Sequence, residues 1–222
     1  MQKRTMYRIN GTCVTAGFMV MGPIQNNVYY ITDGKATFVV DPTCDPDVLL
    51  QALGGVRLDA IVITHRHYDH IGAAARLRDL TGALVIASAE DAPFIAGELP
   101  DPDGHPATDP CPVDQRVSDG DVVGIGGMAW RVIATPGHTP GSMCLYLDPQ
   151  FGSNPQGAPV LISGDTLFQG TCGRTDFAGG SMDDMRHSLK KLATLPDATL
   201  VLPGHSGITA IGAERELFAR MA

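Results

Sequence analysis

Three histidines and an aspartate crowd into one short stretch, Thr64 to Gly72, which reads Thr-His-Arg-His-Tyr-Asp-His-Ile-Gly. An apolar run, Ala60 to Ile63, precedes it and has the character of a buried strand. In an extended segment alternate side chains share a side, so His65 and His67 can point at one spot. If the chain then turns into a helix beginning near His70, Asp69 and His70 face a neighbouring spot. Polar side chains at the low-dielectric end of a sheet need partners, because burying them bare is costly. A metal ion, or a pair of them, supplies that compensation; a solvated loop rich in histidine is the competing reading.

Three further places repeat one pattern: an apolar strand, a sharp turn, then a ligand-type residue. Val132 to Thr135 leads into Pro136-Gly137-His138-Thr139-Pro140-Gly141, Val160 to Ser163 into Gly164-Asp165-Thr166, and Leu200 to Leu202 into Pro203-Gly204-His205. With His65, four strand ends each present a metal-ligand type to what a suitable fold would make one rim. Glycine and proline in these turns let the backbone bend closely enough for ligands from separate strands to meet.

The rest of the chain limits the partners. Its 222 residues suffice for a substantial core, and 44% hydrophobic against 18% charged residues is a globular balance. A net charge of −8 argues against a basic stripe for nucleic acid or an anionic membrane. Five cysteines without Cys-x-x-Cys spacing suit a reducing compartment and unpaired thiols. The N-terminus, Met-Gln-Lys-Arg, is basic, but the mildly apolar Cys13 to Met21 is diluted by Thr15 and Gly17, so it reads as a first strand and not a signal peptide. No run reaches membrane-spanning length. A cytoplasmic location is the expectation.

Strands are expected over Thr12 to Val20, Val28 to Thr32, Thr37 to Val40, Leu58 to Ile63 and Ala83 to Ala87. Others follow over Val122 to Ile125, Met128 to Ala134, Ser142 to Leu147, Val160 to Ile162 and Thr199 to Leu202. Helices are expected over Asp45 to Leu53, over His70 to Leu80 with Ala73, Leu77 and Leu80 on one face, after the capping-box pair Ser181 and Asp184, and over Ile211 to Met221. Ser88 is a plausible cap for a short helix after the Ala83 to Ala87 strand. The proline- and aspartate-rich stretch Pro100 to Pro112 reads as a surface excursion, which makes His105 a solvated side chain; His187 is expected on the outer face of its helix. Strands in runs, then alternating with helices, twice over, suggest two mixed sheets packed together with helices outside.

The run His65-x-His67-x-Asp69-His70, followed in order by His138, Asp165 and His205, resembles the metallo-β-lactamase superfamily. Within it, Thr135 to Ser142, Gly164 to Gly170, Gly173-Arg174-Thr175-Asp176-Phe177 and Ile211-Gly212-x-Glu214-Arg215 are similar to short bacterial glyoxalase II-type proteins, which are hydroxyacylglutathione hydrolase-like thioesterases. The resemblance implies a four-layer αββα sandwich formed by residues 1–222 as a single domain, without the C-terminal helical domain that supplies much of the glutathione binding in long glyoxalase II enzymes. It implies two divalent ions, zinc foremost with iron or manganese as alternatives: one held by His65, His67 and His138, the other by Asp69, His70 and His205, with Asp165 bridging. Ser206 stands where a glycine is more usual after the last histidine.

The chemistry follows from such a pair of ions. Coordination lowers the pKa of water from about 15.7 to about 7, so a bridging hydroxide can attack an acyl carbon at neutral pH. Asp69 would orient that hydroxide. A thiol of pKa about 8.5 can leave without a dedicated proton donor, whereas an amide nitrogen needs one. Thioester, ester and lactone are all permitted; the resemblance favours a hydroxyacyl thioester such as S-lactoylglutathione. Arg174 is a candidate contact for an anionic substrate, with bracing of its own loop alongside Asp176 as the structural alternative. Tyr68 either overhangs the pocket or packs locally, and Cys172 reads as a small, partly buried side chain. The rival from the same fold is a persulfide dioxygenase with a single iron, which shares the Cys172 to Phe177 pattern. A β-lactamase reading is weaker because His70 and Asp165 stand where those enzymes often differ. A metal-dependent binding protein is the reading outside catalysis.

Overall fold

The computed structural model describes residues 6–221; the basic stretch Met1 to Arg4 lies outside the described residues. The first sheet holds seven strands in sequence order: β1 (Tyr7–Ile9), β2 (Thr15–Met21), β3 (Asn26–Thr32), β4 (Thr37–Val40), β5 (Ala60–Val62), β6 (Leu84–Ser88) and β7 (Gln115–Val117). Pairing is antiparallel from β1 to β4 and parallel from β4 to β7. The second sheet begins with β8 (Val122–Ile125), β9 (Met128–Ala134), β10 (Met143–Leu147) and β11 (Val160–Gly164). A two-stranded hairpin, β12 (Leu167–Phe168) and β13 (Thr171–Cys172), precedes β14 (Leu200–Pro203) and β15 (Thr209–Ala210). The order is β15-β14-β11-β10-β9-β8, with β11 and β14 parallel.

Both faces of the sheets are covered at their centres, which is why β4 and β10 are buried at every residue instead of alternating. Between the sheets, Phe38, Val40 and Val62 of the first meet Trp130, Leu145 and Ile162 of the second. Trp130 meets Phe38 edge-on at 5.5 Å. The outer face of the first sheet packs Ile61, Ile63 and Val85 against Leu49 of α1 (Pro46–Ala52) and Leu77. On the second sheet, Cys144, Leu161 and Val201 pack against Met185 and Leu189, with Leu217 and Phe218. The result is the two-sheet sandwich with helices outside that the pattern implies. Among the described residues no helix is long and apolar enough to cross a membrane.

Several expectations need correction. The helix expected over His70 to Leu80 is broken into α2 (Tyr68–Ile71) and α3 (Ala74–Thr81). The Gly72 backbone packs so closely on Thr43 O that a Cβ would lie 2.3 Å from it, and Ala73 N–H leaves the helical ladder to donate to Pro42 O at 2.8 Å. Leu77 is buried as expected, but Leu80 is 42% exposed. The first strand starts at Thr15, because Thr12 and Cys13 bridge to Ala158 instead, and β1 adds an edge that was not expected. The closing helix opens as a 3₁₀ turn over Ile211–Glu214. Short α4 (Ala92–Ile95) follows β6; Ser88 Oγ accepts Asp91 N–H, while Asp91 holds the cap position. Half of the expected capping box forms on α5 (Met182–Leu192), where Ser181 Oγ accepts Asp184 N–H at 3.1 Å. The last described element is α6 (Arg215–Met221).

Candidate metal centre

Parallel pairing places the ends of β4 and β5 side by side, and likewise those of β11 and β14. Residues just past these ends, with the loop between β9 and β10, supply every side chain of the centre. Two turns require glycine. Gly164 has φ +48°, and a Cβ there would meet Thr64 Oγ1 at 2.4 Å. At Gly204 a Cβ would lie 2.2 Å from Asp165 Oδ1 and 2.8 Å from His70 Cε1. Both backbones approach the polar cluster more closely than a side chain allows.

The structure brings all seven candidate donors together. Ligand atoms of His65, His67 and His138 lie within 4.8 Å of one another, as do those of Asp69, His70 and His205. Asp165 stands between the groups: Oδ2 is 3.6 Å from His138 Nε2 and 3.5 Å from His205 Nε2, and Oδ1 is 3.5 Å from His70 Nε2. Ser206, with φ +65°, adopts the conformation that favours glycine, yet His205 still reaches the group. Asn27 holds that turn by donating to Pro203 O at 3.0 Å and Ser206 O at 2.9 Å.

Hydrogen bonds on the outer edges of the rings decide which nitrogen faces inward. His138 Nδ1 meets Arg174 O at 2.7 Å, and His205 Nδ1 meets Ile24 O at 3.2 Å. A carbonyl only accepts, so these Nδ1 atoms carry the proton and Nε2 presents its lone pair to the centre. Asp41 does the same for two more rings. It accepts His70 Nδ1–H at 2.9 Å and Thr64 Oγ1–H at 2.7 Å, which leaves Thr64 Oγ1 to accept from His65 Nδ1 at 3.0 Å. Asp41, Thr64, His65 and His70 are all buried. Asn26, also buried, donates to Asp69 Oδ2 at 2.6 Å.

Charge divides the two groups. Burial, with the neighbouring imidazoles, pushes the His65 pKa well down and that of His67 to about 3; burial also lowers His138. The first group is therefore a set of neutral nitrogen donors. Burial would lower His70 and His205 too, but Asp165, Asp69 and Asp41 beside His70, and Asp69 and Asp165 beside His205, outweigh it and raise both. Against its own desolvation, Asp69 is held low by His70 and by the bonds from His205, His70 and Asn26.

The residues fit a pair of cations. His65 Nε2 and Asp165 Oδ1 are buried with no hydrogen-bond partner. His67 Nδ1 and His138 Nε2 face each other at 2.8 Å, a contact that needs a proton or a metal ion between them. Nitrogen with carboxylate oxygen and no thiolate is a donor set for zinc, iron or manganese.

Above the donors lies a cavity of about 520 Å³ walled by Ile24, Tyr68, His105, Phe168, Arg174 and Phe177. His105 is a correction: it is not a solvated side chain. Asp101 accepts its backbone N–H at 2.7 Å and folds the loop inward, setting the ring edge-on to His67 at 5.1 Å and to Phe177 at 5.0 Å and tilted against Tyr68 at 5.1 Å. Arg174 is exposed, gripped by Asp176 through two 2.6 Å bonds, with its guanidinium 4.1 Å from the Phe177 ring centroid. Its side chain braces the loop while standing at the cavity wall, and its carbonyl orients His138. Cys172 is half-buried, and burial raises its thiol, so it is no ready thiolate. His187 is exposed on α5. Nothing in the sequence alone marks Asp41, Asn26 or Thr64 as part of the centre; the one local signal is Asp41-Pro42 just after a strand, which by itself indicates only a strand end.

The family model described as the metallo-beta-lactamase superfamily matches residues 21–205. The probable metallo-hydrolase YqgX of Bacillus subtilis is 32% identical over 89% of this chain and 93% of its own. The hydroxyacylglutathione hydrolase GloC of Haemophilus influenzae is 31% identical over 86% and 90%. The hydroxyacylglutathione hydrolase of Pseudomonas entomophila is 37% identical, over 82% of this chain and 62% of that enzyme. Among solved structures, the BLEG-1 B3 metallo-beta-lactamase superposes with a TM-score of 0.79 at 33% identity, covering 90% of this chain and 96% of the other. TTHA1623 in a di-iron-bound form gives 0.73 at 33% identity over 88% and 94%.

Proposed function

Because this chain belongs to the metallo-β-lactamase superfamily, we propose that it is a metal-dependent thioesterase acting on S-lactoylglutathione or a related hydroxyacyl thioester. The observation that carries the reading is the complete donor set, two groups of three with Asp165 between them, at the floor of an aromatic-walled cavity. His65, His67 and His138 would hold one ion, Asp69, His70 and His205 the other, and Asp165 both. Bound there, the ions would supply a water acidified to a pKa of about 7 and an electrophile for the carbonyl oxygen.

The chain's own residues do the rest. Asn26 pins Asp69 Oδ2, which leaves the other carboxylate oxygen to accept a hydrogen bond from the attacking water and aim it. Phe168, Phe177, Tyr68 and Ile24 line the cavity, pack the acyl group and thiol carrier, and exclude water. Arg174 and His105 stand on the same wall, where an anionic carrier would meet them. A thiol needs no dedicated acid to leave. The named function of the Haemophilus relative, matched over 90% of its length, supports this substrate class. The likeness to a B3 metallo-beta-lactamase supports a second reading, β-lactam hydrolysis.

Protein purified without chelator is to be assayed on S-lactoylglutathione, other acyl thioesters and a β-lactam, with oxygen uptake followed on glutathione persulfide. Thioester turnover that chelation abolishes and zinc, manganese or iron restores is expected. Turnover surviving exhaustive metal removal, or activity confined to the β-lactam or the persulfide, overturns the proposal.

A further inference from the structure

His67 has two polar edges, and the metal cluster uses one of them. Nδ1 faces His138 Nε2 at 2.8 Å, while Nε2 is buried without a hydrogen-bond partner. The carboxylate facing Nε2 belongs to Asp103, on the loop that folds over the site. Asp103 Oδ2 lies 3.8 Å from it, and both side chains are 3% exposed.

The rest of Asp103 is firmly held. Oδ1 accepts Ala178 N–H at 2.5 Å, and Oδ2 accepts from Arg66 Nη2 at 3.3 Å. Arg66 Nη2 also reaches Ala178 O at 2.8 Å, and Nη1 reaches buried Asp91 at 3.2 Å. A carboxylate oxygen has a second lone pair, so Oδ2 can serve Arg66 and His67 together. Closing the gap to a hydrogen bond of about 2.9 Å takes roughly an ångström of movement. With His105, these groups also resemble a third cation site. The Arg66 guanidinium argues against that, because it already compensates Asp103 and would repel a second cation at that oxygen.

We propose that Asp103 is the positioning carboxylate of His67: it accepts the Nε2–H and so commits Nδ1 to the metal. Metal-ligating histidines commonly give their second N–H to such a carboxylate, which fixes the tautomer and raises ligand basicity. The inference rests on reading His65, His67 and His138 as ligands of one ion.

The test uses Asp103→Asn, which keeps the side chain's shape and an acceptor for Ala178 N–H. In chelator competition with zinc, the three-imidazole site is expected to weaken ~10–100-fold while the Asp69–His70–His205 site is unchanged. Asp101→Ala loosens the same loop but spares the carboxylate, and near-wild-type zinc affinity is expected. Independently of any variant, the zinc-loaded wild-type protein should show a slowly exchanging His67 Nε2–H signal by NMR. Unchanged affinity in Asp103→Asn, an equal loss in Asp101→Ala, a third equivalent of zinc dependent on Asp103, or no protected signal overturns the inference. A wild-type protein that binds no metal sinks instead the reading of the site itself.

Discussion

Asp41 shows how much one side chain outside the ligand set can decide. It takes bonds from Thr64 N, Thr64 Oγ1 and His70 Nδ1, and through Thr64 it reaches His65. It therefore sets the tautomer of one ring in each donor group. Asp41→Ala is expected to weaken metal binding ~10–100-fold in a chelator competition. It should also lower stability, because a buried backbone N–H, a hydroxyl and a ring N–H lose their acceptor at a cost of about 1–3 kcal/mol each. Affinity equal to wild type would show that the rings are oriented by packing alone. At this scale the donors themselves were legible, since histidine and aspartate after strand ends carry their chemistry in their identity. His105 was not. Its surroundings are proline- and aspartate-rich, and only Asp101 folding that loop back turns a surface residue into a cavity wall.

Among the elements, periodicity located the helices and tertiary contacts trimmed them. Ala73 and Leu77 are buried as their spacing demands while Leu80 is not, and the turn at Gly72 to Ala73 is diverted to Pro42 and Thr43, a contact with no trace in local sequence. The far part of α3 is tied to β7 by Asp114, which accepts two bonds from Arg78 and one from Val85 N–H. The Arg78 guanidinium, against some burial and with help from that N–H, holds the Asp114 carboxyl below its ordinary value. A carboxyl that is a stronger acid in the folded state stabilises fully above its unfolded pKa near 3.9, and that contribution fades as pH falls through the lower folded value. Asp114→Asn is thus expected to cost under ~1 kcal/mol at pH 7, the pair being partly exposed. The wild-type advantage in urea denaturation should shrink on acidification below about pH 4. A gap that widens there would contradict the sign.

For the whole molecule, the centre lies across the seam of the sandwich. Asp41, His65, His67, Asp69 and His70 follow strands of the first sheet, and His138, Asp165 and His205 follow strands of the second. Ions held by both sets would cross-link the two sheets at one rim. Binding to the folded state alone stabilises by about 2.7 kcal/mol at a hundred times Kd. For a chain of this size that is worth roughly 5–10 °C in Tm. Calorimetry of chelated and zinc-reloaded protein is expected to show a rise of that order, and identical melting curves would mean that the two sheets are not bridged.

What the amino-acid order settled by itself was the chemistry and its local delivery. Apolar runs long enough to be strands, turns that only glycine and proline make easily, and donors placed immediately after them are all properties of neighbouring residues. Tertiary structure alone decided how those donors are aimed. Asp41, Asn26 and Asp103 are ordinary acidic or amide residues in sequence, and they matter because packing sets them 2.9, 2.6 and 3.8 Å from the groups they serve. Hydrogen bonding and desolvation act through space over a few ångströms. Residues dozens of positions apart along the chain become partners only once the two sheets have closed.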